Sequence, residues 1–287
     1  MAIKIGVVFP QTEIGNDPAV IAEWIRAAES LGFHHVIAFD HVLGANTASR
    51  PDWRGPYTSA TPFHEPFVLF SFMASITTTI ELVTAVIILP QRQTALVAKQ
   101  AASLDVLSRG RLRLGVGTGW NPVEYESLGE NFNNRGKRSE EQIELLRALW
   151  ANEAITFKGK WHSVTDAGVN PLPTRRNIPI WLGGMDPRVV ERVGRSADGW
   201  FPQFRPGVDA NEFIGRMRRS AEAAGRDPRS IGVEVMAGGG VEGCANATDH
   251  WRSTGDATHI AYITMGAGLT GRQHVDELAR LAPLIRR

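Results

Sequence analysis

Apolar residues follow two alternating rhythms along this chain. Short, nearly continuous apolar runs of strand length occur in "IKIGVVF" (3–9), "HHVIAFD" (34–40), "IELVTAVIIL" (80–89) and "RLRLGVG" (111–117). They resume in "IPIWLGG" (178–184), "DGWFPQF" (198–204), "IGVEVMAG" (231–238) and "THIAYITMG" (258–266). Between them, apolar positions recur every three or four residues. In "NDPAVIAEWIRAAESLG" (16–32), Val20, Ile21, Trp24, Ile25, Ala28 and Leu31 share one helical face. Asp17 and Pro18 mark its start and Gly32 its end, and Asp186-Pro187 repeat the start signal in "DPRVVERVGRSA". Further helices are expected over 65–77, 94–110, 137–151, 209–224, 245–254 and 272–285, and a hairpin in "ITFKGKWHSV" (155–164).

Strands without polar alternation, separated by amphipathic helices, predict a parallel sheet covered by helices. Eight strand–helix units at this length point to a (β/α)8 barrel with an insertion at 121–178 between strands four and five. A doubly wound open sheet is the other arrangement. No Gly-, Ser- or Pro-rich linker divides the chain, so residues 1–287 are expected to form a single domain.

Composition narrows the partners. The 287 residues carry a net charge of +1, 43% hydrophobic and 21% charged positions. This leaves no basic footprint for nucleic acid and no polybasic membrane anchor. No apolar run reaches membrane-spanning length, and the first residues lack a secretion signal. The single cysteine, Cys244, fits a reducing compartment. A cytoplasmic protein with a small-molecule substrate is expected.

Barrel enzymes carry their chemistry at the carboxyl ends of the strands. Those ends read "FDH" (39–41), Thr84-Ala85-Val86, "GVGTGW" (115–120), "LGGM" (182–185) and "FPQF" (201–204). Gly115, Gly117 and Gly119 alternate and "WNP" follows, which is not the spacing of a dinucleotide-binding turn. An ordinary strand-end turn and close approach to a ligand both fit. His34 and His35 are sequential on a strand and should face opposite ways, so no metal cage is expected. Nor does a nucleophile elbow occur. The inventory suits an organic cofactor beside an acid/base histidine.

Taken together and in order, "FDH", "TAVIILPQRQTALVAKQAASLDVLSRGRLRLGVGTGW", "FKGKWHSV" and "IPIWLGGMDPRVVERVGRSADGWF" resemble the bacterial-luciferase-like flavin oxidoreductases. Within them the chain looks most like the branch that uses the deazaflavin coenzyme F420. The resemblance spans essentially the whole chain. It implies a (β/α)8 barrel, commonly a homodimer, with the ring at the carboxyl ends of the strands. It also implies a cis peptide at Ala85–Val86, in a cofactor platform that includes Thr84.

Carried over residue by residue, Asp40 would hydrogen-bond the cofactor and His41 would transfer the proton. Gly117, Thr118 and Gly119 would pass close under the cofactor, and Gly183, Gly184 and Met185 would receive its phosphate. A capping role for Asp40, a structural role for His41 and a simple capped turn at 183–185 are the plainer readings. The family's sugar-phosphate dehydrogenase has Glu where this chain has Trp120, so its activity does not transfer. Trp120 is then a candidate roof of the substrate pocket. Glu124 is a candidate second acid/base, against a plain reading as a solvated loop carboxylate. Two rivals share the motifs: an FMN-dependent monooxygenase and a non-catalytic flavin-binding relative.

Overall fold

The strands are buried on both faces, which is why their sequences lack polar alternation. The computed structural model describes residues 2–204 and 208–286. In chain order the elements are β1 (Lys4–Val8), α1 (Pro18–Ser30), β2 (His35–Ala38), α2 (Pro66–Ser75), β3 (Glu81–Thr84), β4 (Ile87–Ile88) and α3 (Thr94–Leu107). Then follow β5 (Leu112–Gly117), α4 (Pro122–Ser127), α5 (Arg135–Ala151), β6 (Ile155–Lys158), β7 (Ser163–Ala167), β8 (Ile180–Gly183) and α6 (Pro187–Ser196). The chain ends with β9 (Gly199–Phe201), α7 (Ala210–Ala223), β10 (Gly232–Ala237), α8 (Gly240–Thr254), β11 (His259–Tyr262) and α9 (Gln273–Leu281).

All strands but the β6–β7 hairpin are parallel, and the sheet closes on itself. β1 pairs with both β2 and β11, and β3 pairs with β5 through Leu82 and Leu112. The result is the expected (β/α)8 barrel, with helices packed around it. Among the described residues, no helix is long and apolar enough to cross a membrane.

Three segments differ from expectation. The run 80–89 is not one strand: the Ala85–Val86 peptide is cis, and β4 pairs with β5 beyond the break. The segment 121–178 is not a single insertion, because α5 is the fourth unit's own helix, with Trp150 donating to the Ala98 carbonyl of α3 at 3.0 Å. Only α4 and the hairpin are additions. α4 escaped notice because Pro122 forces Asn121 into extended geometry; Asn121 is extended, but as the N-cap, accepting from Val123 N–H at 3.1 Å. α8 also begins at Gly240, ahead of the expected 245, behind a glycine-rich start.

The amino end of the barrel is closed by an ionic floor. Arg113 donates to Glu234 at 2.5 Å and to Glu81 at 2.9 Å, while its guanidinium lies 4.2 Å from the Trp181 ring centre. His35 Nε2 lies 2.5 Å from Glu234. His34 precedes β2 rather than lying in it, so it does not face away from His35: their Nδ1 atoms are 3.3 Å apart. His34, Glu81 and His259 bring ligand-type atoms within 4.8 Å of one another, but Arg113 already holds the Glu81 carboxylate.

Burial, reinforced by neighbouring cations, depresses His259 to about 2 and His34 to about 4, and burial also lowers His274. The unfolded chain therefore binds more protons than the folded one below pH ~6.5, and stability falls with pH there. Urea denaturation should show a midpoint that drops between about pH 6.5 and 4.5, above the carboxylate range. A His259→Asn variant should flatten that drop. A midpoint constant over this interval would contradict the buried, neutral floor histidines.

Candidate active site

The carboxyl ends of β2, β3/β4 and β5 meet at one side of the barrel mouth, and the chain after each is tied to the others. Glu124 sits in the first turn of α4, with a side chain only 3% exposed. Its Oε1 accepts from Val42 N–H at 2.8 Å and Leu43 N–H at 3.2 Å, and lies 2.6 Å from His41 Nδ1. Its Oε2 accepts from Gln91 Nε2 at 3.1 Å. Burial alone would raise its pKa, but the bonds from His41, Gln91 and Leu43 outweigh burial and hold it below the ordinary carboxylate value. Glu124 is therefore not the solvated loop carboxylate of the plain reading.

An ionised carboxylate only accepts, so the proton between the two groups lies on His41 Nδ1. The imidazole is thus held in one tautomer. Its Nε2 is buried and has no hydrogen-bond partner. Three aromatic rings surround it: Phe63 at 5.1 Å, Tyr57 at 5.3 Å and Trp120 at 6.5 Å between ring centres. In this tautomer that nitrogen is a hydrogen-bond acceptor.

Asp40 departs from expectation. Its side chain is 1% exposed, with Oδ2 accepting from Ile88 N–H at 3.0 Å and Oδ1 from Arg92 at 2.8 Å. Arg92 also donates to Glu65 at 2.9 Å. Burial raises the Asp40 carboxyl above its ordinary value, and the paired guanidinium opposes that shift. Both carboxylate oxygens have protein partners, so Asp40 ties the segment beyond the cis bond to the end of β2. Thr84 is fully buried, and its hydroxyl bridges the Gly115 N–H and carbonyl at 2.9 and 2.8 Å; it fastens β3 to β5.

Ala85 and Val86 are half-buried at the mouth. A Cβ at Gly117 would lie 2.5 Å from Val86 Cγ2, and one at Gly183 would lie 2.8 Å from Val86 Cγ1. The bare backbone at these two strand ends therefore makes room for Val86. The half-buried surface left for a ligand is formed by Ala85, Val86, Thr118, Gly119, Gly184 and Met185. Tyr125 fixes the glycine turn by donating to the Thr118 carbonyl at 2.7 Å.

The 183–185 turn is also more occupied than expected. The Asp186 carboxylate caps α6, and its hydrogen bonds with Arg188 bring it down to about 2. Gly184 N–H points to the Phe201 carbonyl at 3.4 Å. A phosphate at that terminus would compete with a resident carboxylate. Between this turn and the glycine turn lie Thr118, buried Ser139 and buried Arg192, with Arg192 anchored to Glu140 at 2.7 Å.

A family model described as luciferase-like monooxygenase matches residues 3–278. The chain belongs to this luciferase-like family. An uncharacterized member from Mycobacterium tuberculosis is 34% identical over 84% of this chain and 85% of its own. The F420-dependent hydroxymycolic acid dehydrogenase of the same organism is 31% identical over 88% of this chain and 68% of its own. Among solved structures, a F420-dependent secondary alcohol dehydrogenase with an F420–acetone adduct superposes with a TM-score of 0.81 over 100% of both chains. At 18% identity, that likeness shows the luciferase-like fold alone.

Sequence reasoning missed several residues of this luciferase-like site. Gln91 and Arg92 follow a strand that looked uninterrupted, so their place at the mouth was hidden. Tyr57 and Phe63 lie in the long loop 42–63, where no periodicity sets direction. Glu65 stands at the start of the helix expected over 65–77, but nothing in the sequence there shows its ion pair with Arg92.

The packing of Val86 gives a direct test. Gly117→Ala should lower stability by about 1–3 kcal/mol through overpacking. Adding Val86→Ala should recover part of that loss in urea denaturation. Equal stability of Gly117→Ala and the unmodified protein would contradict the close approach.

Proposed function

We propose that this protein is an oxidoreductase that exchanges a hydride between coenzyme F420 and a small organic substrate. The observation that carries this reading is the buried, unpartnered His41 Nε2, held in one tautomer by Glu124 at the open end of the barrel. Hydride exchange at a carbon bearing oxygen also requires a proton at that oxygen, and His41 Nε2 is the group positioned to take or give it. Glu124 orients the ring without touching substrate.

The residues present fit such a cofactor. The half-buried surface of Ala85, Val86, Thr118 and Gly119 offers an apolar edge and main chain for a flat ring. Thr118, Ser139 and Arg192, beside the 183–185 turn, supply hydroxyl and guanidinium donors for a phosphate. When bound, the deazaflavin supplies the hydride-accepting carbon. Asp40, through Ile88 N–H and Arg92, keeps the platform in place. The similarity to a relative named for F420 dependence supports this cofactor, while the family description keeps FMN as the competing choice.

A homodimer is part of the proposal. Val68 and Phe72 on α2, with Leu96, Val106 and Leu107 on α3, leave an exposed apolar face on two adjacent helices that a second copy would cover. A cytoplasmic setting suits the lone, buried Cys244.

Fluorescence titration of the purified protein with the deazaflavin and with FMN tests the cofactor. Saturable deazaflavin binding, tighter than FMN, is expected; FMN binding alone would contradict it. With the deazaflavin bound, His41→Ala should lower kcat roughly 10²–10⁴-fold. Glu124→Gln should lower it less. Unchanged kcat in His41→Ala would remove the proton-transfer role.

A further inference from the structure

Outside the ionic floor, at the amino end of the barrel, lies a cavity of about 410 Å³. It is bounded by the residues that lead into β1, β10 and β11, by α7 and by the last turn of α8. His41 stands at the other end of the barrel, after β2. The volume falls within the range of roughly 300–1,000 Å³ that small-molecule pockets occupy.

The path of the chain makes this space. α8 ends on Gly255, whose φ of 69° is a left-handed value that glycine adopts without strain. The turn there brings Asp256 opposite α7, where its carboxylate accepts from Arg218 at 2.7 Å. The Thr258 hydroxyl is already engaged, within 3.1 Å of the Val233 main chain and of His259 Nδ1.

The deep wall is apolar: Met217, Ile231, Val233 and Ala257 line it, each 5% exposed or less. Trp251 adds a half-buried indole. Phe204 stacks on that indole with ring centres 5.7 Å apart and planes 22° from parallel, which fixes it as a flat surface.

The rim is cationic. Arg218, Arg229 and Arg252 line the cavity against one carboxylate, Asp256, although the chain as a whole carries a net charge of only +1. Arg218 is paired with Asp256, and Arg229 reaches back to Asp227 at 3.1 Å with a side chain 90% exposed. Arg252, half-buried in the last turn of α8, takes part in no ion pair among the described residues. A guanidinium in that position can pair two of its N–H groups with one anionic head. Apolar carbon behind the head would gain contact with the deep wall.

We propose that this cavity is a second binding site, for a small organic anion with one carboxylate or phosphate head on an apolar body. The head pairs with Arg252, and the body lies along Trp251, Met217 and Ile231. The site stands apart from the hydride-transfer reading, because none of its residues belongs to the barrel mouth.

Isothermal titration calorimetry on the full chain tests it, with 4-phenylbutyrate, phenyl phosphate, 4-phenylbutanamide and acetate as probes. At least one of the first two should bind saturably, and the tighter of them names the head group. The uncharged amide, and acetate, which lacks the body, should each bind at least tenfold more weakly. Arg252→Ala should weaken the better anion roughly tenfold or more, as loss of hydrogen bonds to a charged group does. Nitrogen NMR of tryptophan-labelled protein reads the location. The Trp251 indole N–H signal, assigned from its loss in Trp251→Phe, should move during the titration while that of Trp120 at the mouth stays in place. Circular dichroism checks that each variant is folded. The proposal is overturned if neither anion binds saturably, if the amide or acetate binds as tightly, or if folded Arg252→Ala binds the anion unchanged. Movement of the Trp120 signal with Trp251 unmoved would overturn it as well.

Discussion

Four donors converge on the Glu124 carboxylate of α4 from two other stretches of chain: His41, Val42 and Leu43 after β2, and Gln91 after β4. Replacing this group would leave buried donors without an acceptor, at about 1–3 kcal/mol for each one that stays unpaired. The same contact sets the His41 tautomer and the path of the loop that carries Tyr57 and Phe63. Asn121, the cap of α4, adds a bond from Nδ2 to the Leu43 carbonyl at 3.3 Å. Fold and chemistry are therefore joined at one carboxylate: the interaction that holds the mouth together is also the one that leaves Nε2 available.

The two ends of the barrel divide the work. At the amino end, Arg113 and its two carboxylate partners form a closed, ion-paired floor, and burial keeps the neighbouring histidines His34 and His259 neutral. At the carboxyl end, the buried atoms without a hydrogen-bond partner include His41 Nε2, His64 Nε2 and Gln91 Oε1. Asp40 and Arg92 illustrate the economy of this arrangement. A buried ion pair is a poor source of net stability, but here it fixes Ile88 and, through Glu65, the start of α2.

The barrel was legible in the sequence because strand burial and helix amphipathicity are local signals. Asp17-Pro18 and Asp186-Pro187 marked helix starts that the structure contains. The site was legible in part. His41 and Glu124 were named separately, but nothing in their spacing said that one would hold the other; that contact depends on α4, whose single turn and a half is too short for periodicity to show. The Pro122 signal was read only for its effect on Asn121. Asp40 and Thr84 are ligand contacts by resemblance, and the partners the structure gives their polar atoms, Arg92, Ile88 and Gly115, are fixed by tertiary packing that no local spacing shows. The glycine turns were read as open backbone, and Val86 fills that space because β3 breaks at the cis bond.

The tautomer of His41 is the most direct measure of whether Glu124 governs the site. Nitrogen NMR of the protein labelled at histidine, at neutral pH and without substrate, distinguishes the two ring nitrogens. In the uncharged ring the proton is expected on His41 Nδ1 with Nε2 bare, and a mixture of tautomers is expected once Glu124 is replaced by Ala. An uncharged ring with its proton on Nε2 in the unmodified protein would contradict this account.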